Sequence, residues 1–391
     1  MQYRQDKYGN QLSILGYGCM RFTQGIGGIN LAKAEEELMT AFRAGVNYYD
    51  TAYIYPGSEA ALGEILEKNN IRDQVYIATK LPHYMIKTPE QMDKYFDEEL
   101  RRLRTDHVDY YLMHMLTDMK AWERLQQLGI IEWLESKKAS GQIRQVGYSY
   151  HGNSDMFIRL LDAYPWDFCQ VQYNYMDENS QAGRTGVEAA EARGIPVIIM
   201  EPLRGGRLVN LPADVEDKMA AHTPAYKPAE WSFRWLWDQP AITVVLSGMN
   251  SIEMVQQNCG WASTAEAHAF TEADQKFLKQ MLDLINAKVR VGCTGCRYCM
   301  PCPKNVDIPG TFAAYNRMAA EGWFSGMKEY FMCTGVRHDY TGASNCIGCG
   351  KCEAHCPQHL PIREELKNAK KALEGPIYKI ARKLVPLFMK Y

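Results

Sequence analysis

The 391-residue sequence has no apolar run long enough to cross a bilayer, and its start, MQYRQDKYGNQ, lacks the apolar core of a secretion signal. It has no low-complexity tract. Nothing in it resembles a nucleic-acid module, and a pI near 6.5 argues against one. No Gly-x-Gly-x-x-Gly follows the first candidate strand, which disfavours a doubly wound dinucleotide-binding sheet. These absences predict a cytoplasmic protein with neither a transmembrane segment nor a nucleic-acid partner.

Hydrophobic content of 46% and charged content of 23% are ordinary for a globular chain, and the length exceeds what one core usually supports. Two domains are therefore expected. Eight of the twelve cysteines fall in two short ladders, CTGCRYCMPCP at 293–303 and CIGCGKCEAHCP at 346–357. In a chain read as cytoplasmic, such ladders point to metal ligation under reducing conditions. Cys19, Cys169, Cys259 and Cys333 are scattered and read as packing residues.

Before the first ladder, apolar β-branched runs alternate with amphipathic helical segments. The predicted strands are 12–18, 46–52, 75–81, 108–114, 145–150, 168–174, 195–201 and 242–248. LAKAEEELMTAFRAG and PEQMDKYFDEELRRLR carry helical spacing, and Gly45, Gly141 and Gly194 sit where helices would stop. Eight strand–helix units over roughly 260 residues make an α/β fold of the (β/α)8 TIM-barrel type. The predicted organisation is a barrel over 1–265, a linker helix over 266–290, a small, mostly helical ferredoxin-like iron–sulfur domain over 291–370 and a basic tail over 371–391. WSFRWLWD at 231–238 reads as a barrel-packing helix, and HTPAYKP at 222–228 as a loop.

Barrel active sites collect at the C-terminal strand ends. There the sequence offers Asp50, Lys80 and His114, with Tyr55 in the loop after the second strand. Carbonyl reduction needs such a set, because a hydride arriving at carbon leaves an oxyanion that a positioned acid must protonate. A free tyrosine, with a pKa of about 10, is reluctant near neutrality. A lysine ammonium at ~4 Å would favour the phenolate by roughly 4 kcal/mol at an effective dielectric of about 20. Asp50 would hold that lysine, and His114 would orient the carbonyl.

GVNYYDTAYIYPGSEAALGEIL resembles the aldo/keto reductase signature, and IATKL, VDYYLMH and GQIRQVGYSYH resemble three further blocks of that superfamily in the same order. The resemblance implies that Asp50, Tyr55, Lys80 and His114 form the catalytic tetrad. It also implies NAD(H) or NADP(H) across the barrel mouth, with Ser149 and Gln170 on the carboxamide and Asn258 at the adenine end. The chain departs from the family at four places. Tyr150 replaces an asparagine, and Met200 stands where an aromatic ring commonly stacks. Gly248 and Met254 occupy positions where basic residues often grip a 2′-phosphate.

In the ladders, C-x2-C-x2-C can wrap one face of a cubane 4Fe-4S cluster, while a fourth cysteine before proline turns toward another cluster. Zinc would take two separated C-x2-C pairs and leave cysteines surplus. The second ladder has the bacterial ferredoxin spacing, and the first is one residue short before Cys302. Two clusters are expected. If ligands cross, Cys293, Cys296, Cys299 and Cys356 hold one, and Cys346, Cys349, Cys352 and Cys302 hold the other.

The whole chain thus resembles aldo/keto reductase-like oxidoreductases with a C-terminal ferredoxin-type domain. It implies hydride exchange with a carbonyl-type substrate, coupled to single-electron relay. A cluster takes no hydride directly, so a flavin, bound here or on a partner, would split the pair, and a ferredoxin or flavoprotein is the expected redox partner. Two alternatives stay open: a plain NAD(P)H-dependent reductase with structural clusters, and a non-catalytic electron-carrier or redox-sensing subunit. The tail IYKIARKLVPLFMKY is basic and partly amphipathic, as in a membrane-surface helix, but Pro386 shortens it and docking against the protein is its expected role.

Overall fold

A computed structural model describes every residue except Arg207, 286–289, Thr294, Cys296, Tyr298, 336–338, 357–358 and 389–391, with backbone alone over 385–388. Eight parallel strands close into a barrel: β1 (Leu15–Gly18), β2 (Tyr48–Asp50), β3 (Tyr76–Leu81), β4 (Val108–Leu116), β5 (Ile143–Tyr150), β6 (Phe168–Gln172), β7 (Val197–Met200) and β8 (Ile242–Ser247). They neighbour one another in sequence order, and β8 returns to β1. Both faces of each strand are covered, which is why the runs read as nearly continuous apolar stretches rather than alternating ones. Tyr48, Ala78, Tyr110, Phe168 and Val244 fill the barrel interior, while a larger core lies between strands and helices.

The first predicted strand differs in one respect. Residues Gln11–Ser13 leave the barrel and pair antiparallel with Tyr3–Gln5, and Leu12 joins the interior cluster. The hairpin is tied across the barrel's N-terminal end by Asp6, which accepts from Tyr110 Oη at 2.6 Å and also from Gln145. That tie joins residues more than a hundred positions apart, beyond any local pattern.

Gly45, Gly141 and Gly194 all hold left-handed backbone just past helix ends, the conformation that glycine adopts without a Cβ clash. The WSFRWLWD segment lies in the helix Pro228–Trp237, with Trp231, Phe233, Leu236 and Trp237 buried. Cys19, Cys169, Cys259 and Cys333 are buried as packing residues.

Beyond the barrel, α1 (Glu272–Ile285) lays Leu278 and Met281 against Trp231 and Met219. Then follow α2 (Ile308–Glu321), α3 (Trp323–Tyr330), α4 (Ile362–Leu373) and α5 (Pro376–Phe388). The Asp307 side chain caps α2 by accepting from Gly310 N, with Pro309 in the first turn. Val306, Phe312, Tyr330, Leu366 and Leu373 form a second, separate core.

The helical region sits on the barrel's C-terminal mouth. Asp177, in the loop after β6, accepts from Arg317 of α2 at 2.7 Å and forms an ion pair with Arg204 at 2.9 Å. Arg204 also meets Glu321 at 2.7 Å, and Arg317 meets Glu329 at 2.5 Å. All five groups are buried or nearly so, and each charge has an opposite partner, the condition under which charges are tolerated away from water.

Candidate active site

Asp50 ends β2, Lys80 lies one residue before the end of β3, and His114 lies in β4. The barrel's closure brings them together. Lys80 Nζ donates to Asp50 Oδ1 and to Thr51 O, both at 2.6 Å, and is 1% exposed. Gln170, on β6 across the barrel, donates its amide to Asp50 Oδ2 at 2.9 Å. Lys80 Nζ stands 5.3 Å from the centre of the Tyr55 ring, and that ring meets the His114 imidazole edge-on at 5.9 Å. All four predicted residues therefore converge.

The electrostatics differ from the sequence expectation. The Tyr55 phenol is pushed up from its ordinary value, first by burial and then by the negative charges of Asp50 and Glu201. Lys80 does not reverse this, because its ammonium is engaged by Asp50 and a carbonyl. This shift favours a Tyr55 that keeps its phenolic proton over a phenolate. His114 is held well below its usual range by burial, with Lys80, His83 and His151 adding to the effect. It is a neutral imidazole whose buried Nδ1 has no protein hydrogen-bond partner.

Ser149 and Gln170 are direct neighbours in the β5–β6 register, and both are buried. Ser149 Oγ accepts from Met115 N at 2.8 Å, which leaves its hydroxyl proton to give. Gln170 spends its amide on Asp50 and keeps its carbonyl oxygen as an acceptor. Asn258, on the helix Ile252–Ser263, donates to Ser247 Oγ at 3.1 Å. Tyr150 is buried, with its hydroxyl on Asn153 O at 2.6 Å.

Sequence reasoning missed three features of this mouth. Arg21 folds over Gly248, so closely that a Cβ there would stand 2.9 Å from Arg21 Cδ, and its guanidinium reaches toward Gly205. Phe331 and Met332 of the helical region pack with Tyr84, Met85 and Met115, and Tyr84 lies 6.3 Å from the His114 ring. His151 Nδ1 lies 3.0 Å from Gln181 Oε1, and Gln181 reaches Glu329 at 3.5 Å. Each joins residues distant in sequence, so no motif announces them.

The second ladder surrounds a cavity of about 160 Å³ lined by Cys302, Cys346, Cys349 and Cys352, together with Cys299 and apolar Ile308 and Leu366. Among the described residues, Cys356 does not line it, although Cys356 and Cys293 both pack against the second core. Cys296 and Pro357 lie outside the described residues. Gly348 and Gly350 take left-handed backbone between the cysteines, and Gly348 N donates to Cys346 Sγ at 3.4 Å. The two ladders face different ways. The first abuts the barrel, where Gly295 meets Asn179 and Arg297 pairs with Asp155 at 2.6 Å. The second leaves Cys349 and Ile347 exposed.

Residues 14–276 match the sequence profile of the aldo/keto reductase family, and residues 292–360 match that of a 4Fe-4S dicluster domain. The chain is 27% identical over 282 residues to an L-galactose dehydrogenase of Arabidopsis thaliana, covering 66% of this chain and 87% of that protein. An aldo-keto reductase of Mycolicibacterium vanbaalenii is 28% identical over 262 residues, covering 64% and 82% of the respective chains. Among solved structures, a holo aldo-keto reductase from Bacillus halodurans superposes with a TM-score of 0.59 at 21% identity, over 72% of this chain and 96% of that one. One from Klebsiella pneumoniae, in complex with NADPH, gives 0.58 at 23% identity, over 73% and 94%.

Proposed function

The chain belongs to the aldo/keto reductase family and carries a 4Fe-4S domain, and from this we propose that it reduces or forms a carbonyl-type substrate at the Tyr55 site, coupled to electron relay through two clusters. The observation that carries this reading is the convergence of Asp50, Lys80, Tyr55 and His114 under a wall supplied by the helical domain.

The residues suit a nicotinamide. Ser149 offers a hydroxyl proton and adjacent Gln170 an oxygen, the two complements a carboxamide needs. Arg21 brings a cation beside Gly248, compensating for the basic residues absent at Gly248 and Met254. The cavity of converging thiols with apolar walls likewise suits a 4Fe-4S cluster, with Cys302, Cys346, Cys349 and Cys352 as ligands. Cys293, Cys296, Cys299 and Cys356 would then hold the second. When bound, these groups supply hydride and single-electron chemistry respectively.

The chain's own residues do the rest. Tyr55 donates its phenolic proton to the substrate oxygen as negative charge develops there. The neutral His114 imidazole donates an N–H to the same oxygen and orients it. Lys80, locked by Asp50 and Thr51 O, fixes the polar floor beside the Tyr55 ring. Tyr84, Met115, Phe331 and Met332 exclude water from above.

Electron relay draws support from the placement of the ladders, the first against the barrel mouth and the second toward solvent, where a ferredoxin or flavoprotein would meet it. Packing of the ladder cysteines against the helical core also favours a structural role for the clusters. NADH and then NADPH added to anaerobically purified protein separates the two readings by electron paramagnetic resonance. Reduced clusters support the relay. Clusters that stay oxidised, yet respond to a chemical reductant, favour the structural role. Tyr55→Phe should lower kcat for carbonyl reduction by about 10²–10⁴-fold; unchanged turnover removes the tetrad from the reaction.

A further inference from the structure

Among the described residues, helix α5 docks by the face that carries Tyr378 and Arg382. Tyr378 is 1% exposed and packs on Tyr330, and Arg382 stacks over the Tyr340 ring at 3.5 Å. At about 100° per residue, Ile377, Ile380 and Leu384 fall together on a face away from those contacts. They are 57%, 56% and 46% exposed, a stripe that burial has not used. Lys379 and Lys383 lie between the docked face and the stripe, and both are exposed.

Two further apolar side chains stand out nearby. Trp323 and Phe324 at the start of α3 are exposed, and Trp323 Nε1 donates to Ala372 O, beside the turn from which α5 departs. From 367 to 391 the sequence carries seven Lys and Arg against one acid, Glu374, and that acid is buried.

We infer that this surface is a docking face for an anionic lipid bilayer, with Ile377, Ile380 and Leu384 inserted and the lysines on lipid headgroups. An apolar stripe flanked by lysine is the composition of a helix that lies in a membrane interface, and tryptophan favours the same depth. The charge decides against a second copy of the chain, since self-association would bring two strongly basic faces together. A negative leaflet neutralises them. The inference is independent of the reaction proposed above, because none of Ile377, Ile380, Leu384, Lys379 and Lys383 belongs to the barrel's polar site.

The test uses the full chain with its clusters and vesicles of phosphatidylcholine with and without phosphatidylglycerol. Co-sedimentation should occur with the anionic vesicles, be weak with phosphatidylcholine alone and fall at raised salt. Ile380→Glu with Leu384→Glu, and separately Lys379→Glu with Lys383→Glu, should each lower partitioning at least about tenfold. Unchanged cluster absorbance in both variants shows that the fold persists. Absence of binding to anionic vesicles, or binding that survives Ile380→Glu with Leu384→Glu, overturns the inference. So does a dimer in light scattering that the same pair of substitutions splits into monomers, or an acidic protein that takes this face while vesicles do not.

Discussion

Arg317 of the helical domain and Asp177 of the barrel meet at 2.7 Å in a site where both side chains are about nine-tenths buried. Arg204, Glu321 and Glu329 complete the network, so the two parts of the chain share a charged joint beside the apolar contact of Phe331 and Met332 with Tyr84. Burial alone would discharge Asp177, but the two guanidiniums hold its carboxyl below the ordinary range. A joint of this kind stabilises only one arrangement, because any slippage strands an unpaired charge.

Arg317→Met should therefore destabilise the protein by about 3–5 kcal/mol, since it leaves the buried Glu329 without its cation and Asp177 with Arg204 alone. Thermal melting checks the size. Faster proteolysis in the segment joining barrel and helical domain would show that the joint itself has loosened. A melting temperature unchanged from the parent would mean that water already satisfies these charges.

The raised pKa of Tyr55 sets a pH prediction. The proposed reduction needs the protonated phenol, and burial together with Asp50 and Glu201 raises its pKa. The kcat/KM for carbonyl reduction should stay level from pH 7 to about 9.5, where a free tyrosine of pKa about 10 would already be titrating. A decline centred near pH 7–8 would instead reveal a phenol lowered by Lys80.

Stability should fall with acid through His83. Its imidazole is fully buried and depressed from 6.5 to about 3, chiefly by burial and then by the Arg124 charge. Below pH 6.5 the unfolded chain takes up a proton that the folded chain refuses, so unfolding gains. Between pH 7 and 5 this one group removes about 2 kcal/mol. His83→Asn should flatten the melting temperature against pH over that window, and an unaltered slope would assign the acid sensitivity elsewhere.

Cys302→Ser should remove the cluster of the second ladder and leave that of the first. It lines the same cavity as Cys346, Cys349 and Cys352 although it lies 44 positions before the first of these. Iron content should fall to about half, and Cys302→Ser with Cys346→Ser should lose no more. If the double variant loses further iron, Cys302 serves the first ladder.

The barrel was legible because its strands are buried on both faces and its helices on one. Residue order alone then produces continuous apolar runs alternating with a 3.6-residue period. The convergence of Asp50, Lys80 and His114 was legible for a related reason: the ends of parallel barrel strands all face one mouth, so only their position along each strand was needed. The cysteine ladders announced themselves by spacing. Side-chain charge balance was not legible. That Lys80 is spent on Asp50 and leaves Tyr55 protonated depends on distances of a few ångströms between separate strands. Nor could the sequence show that Phe331 and Met332 would roof the mouth, or that Asp177 would find Arg317 across 140 residues. Periodicity records which face a residue turns inward; only the folded chain decides which distant partner it meets there, because burial and Coulomb energy are set by three-dimensional separation.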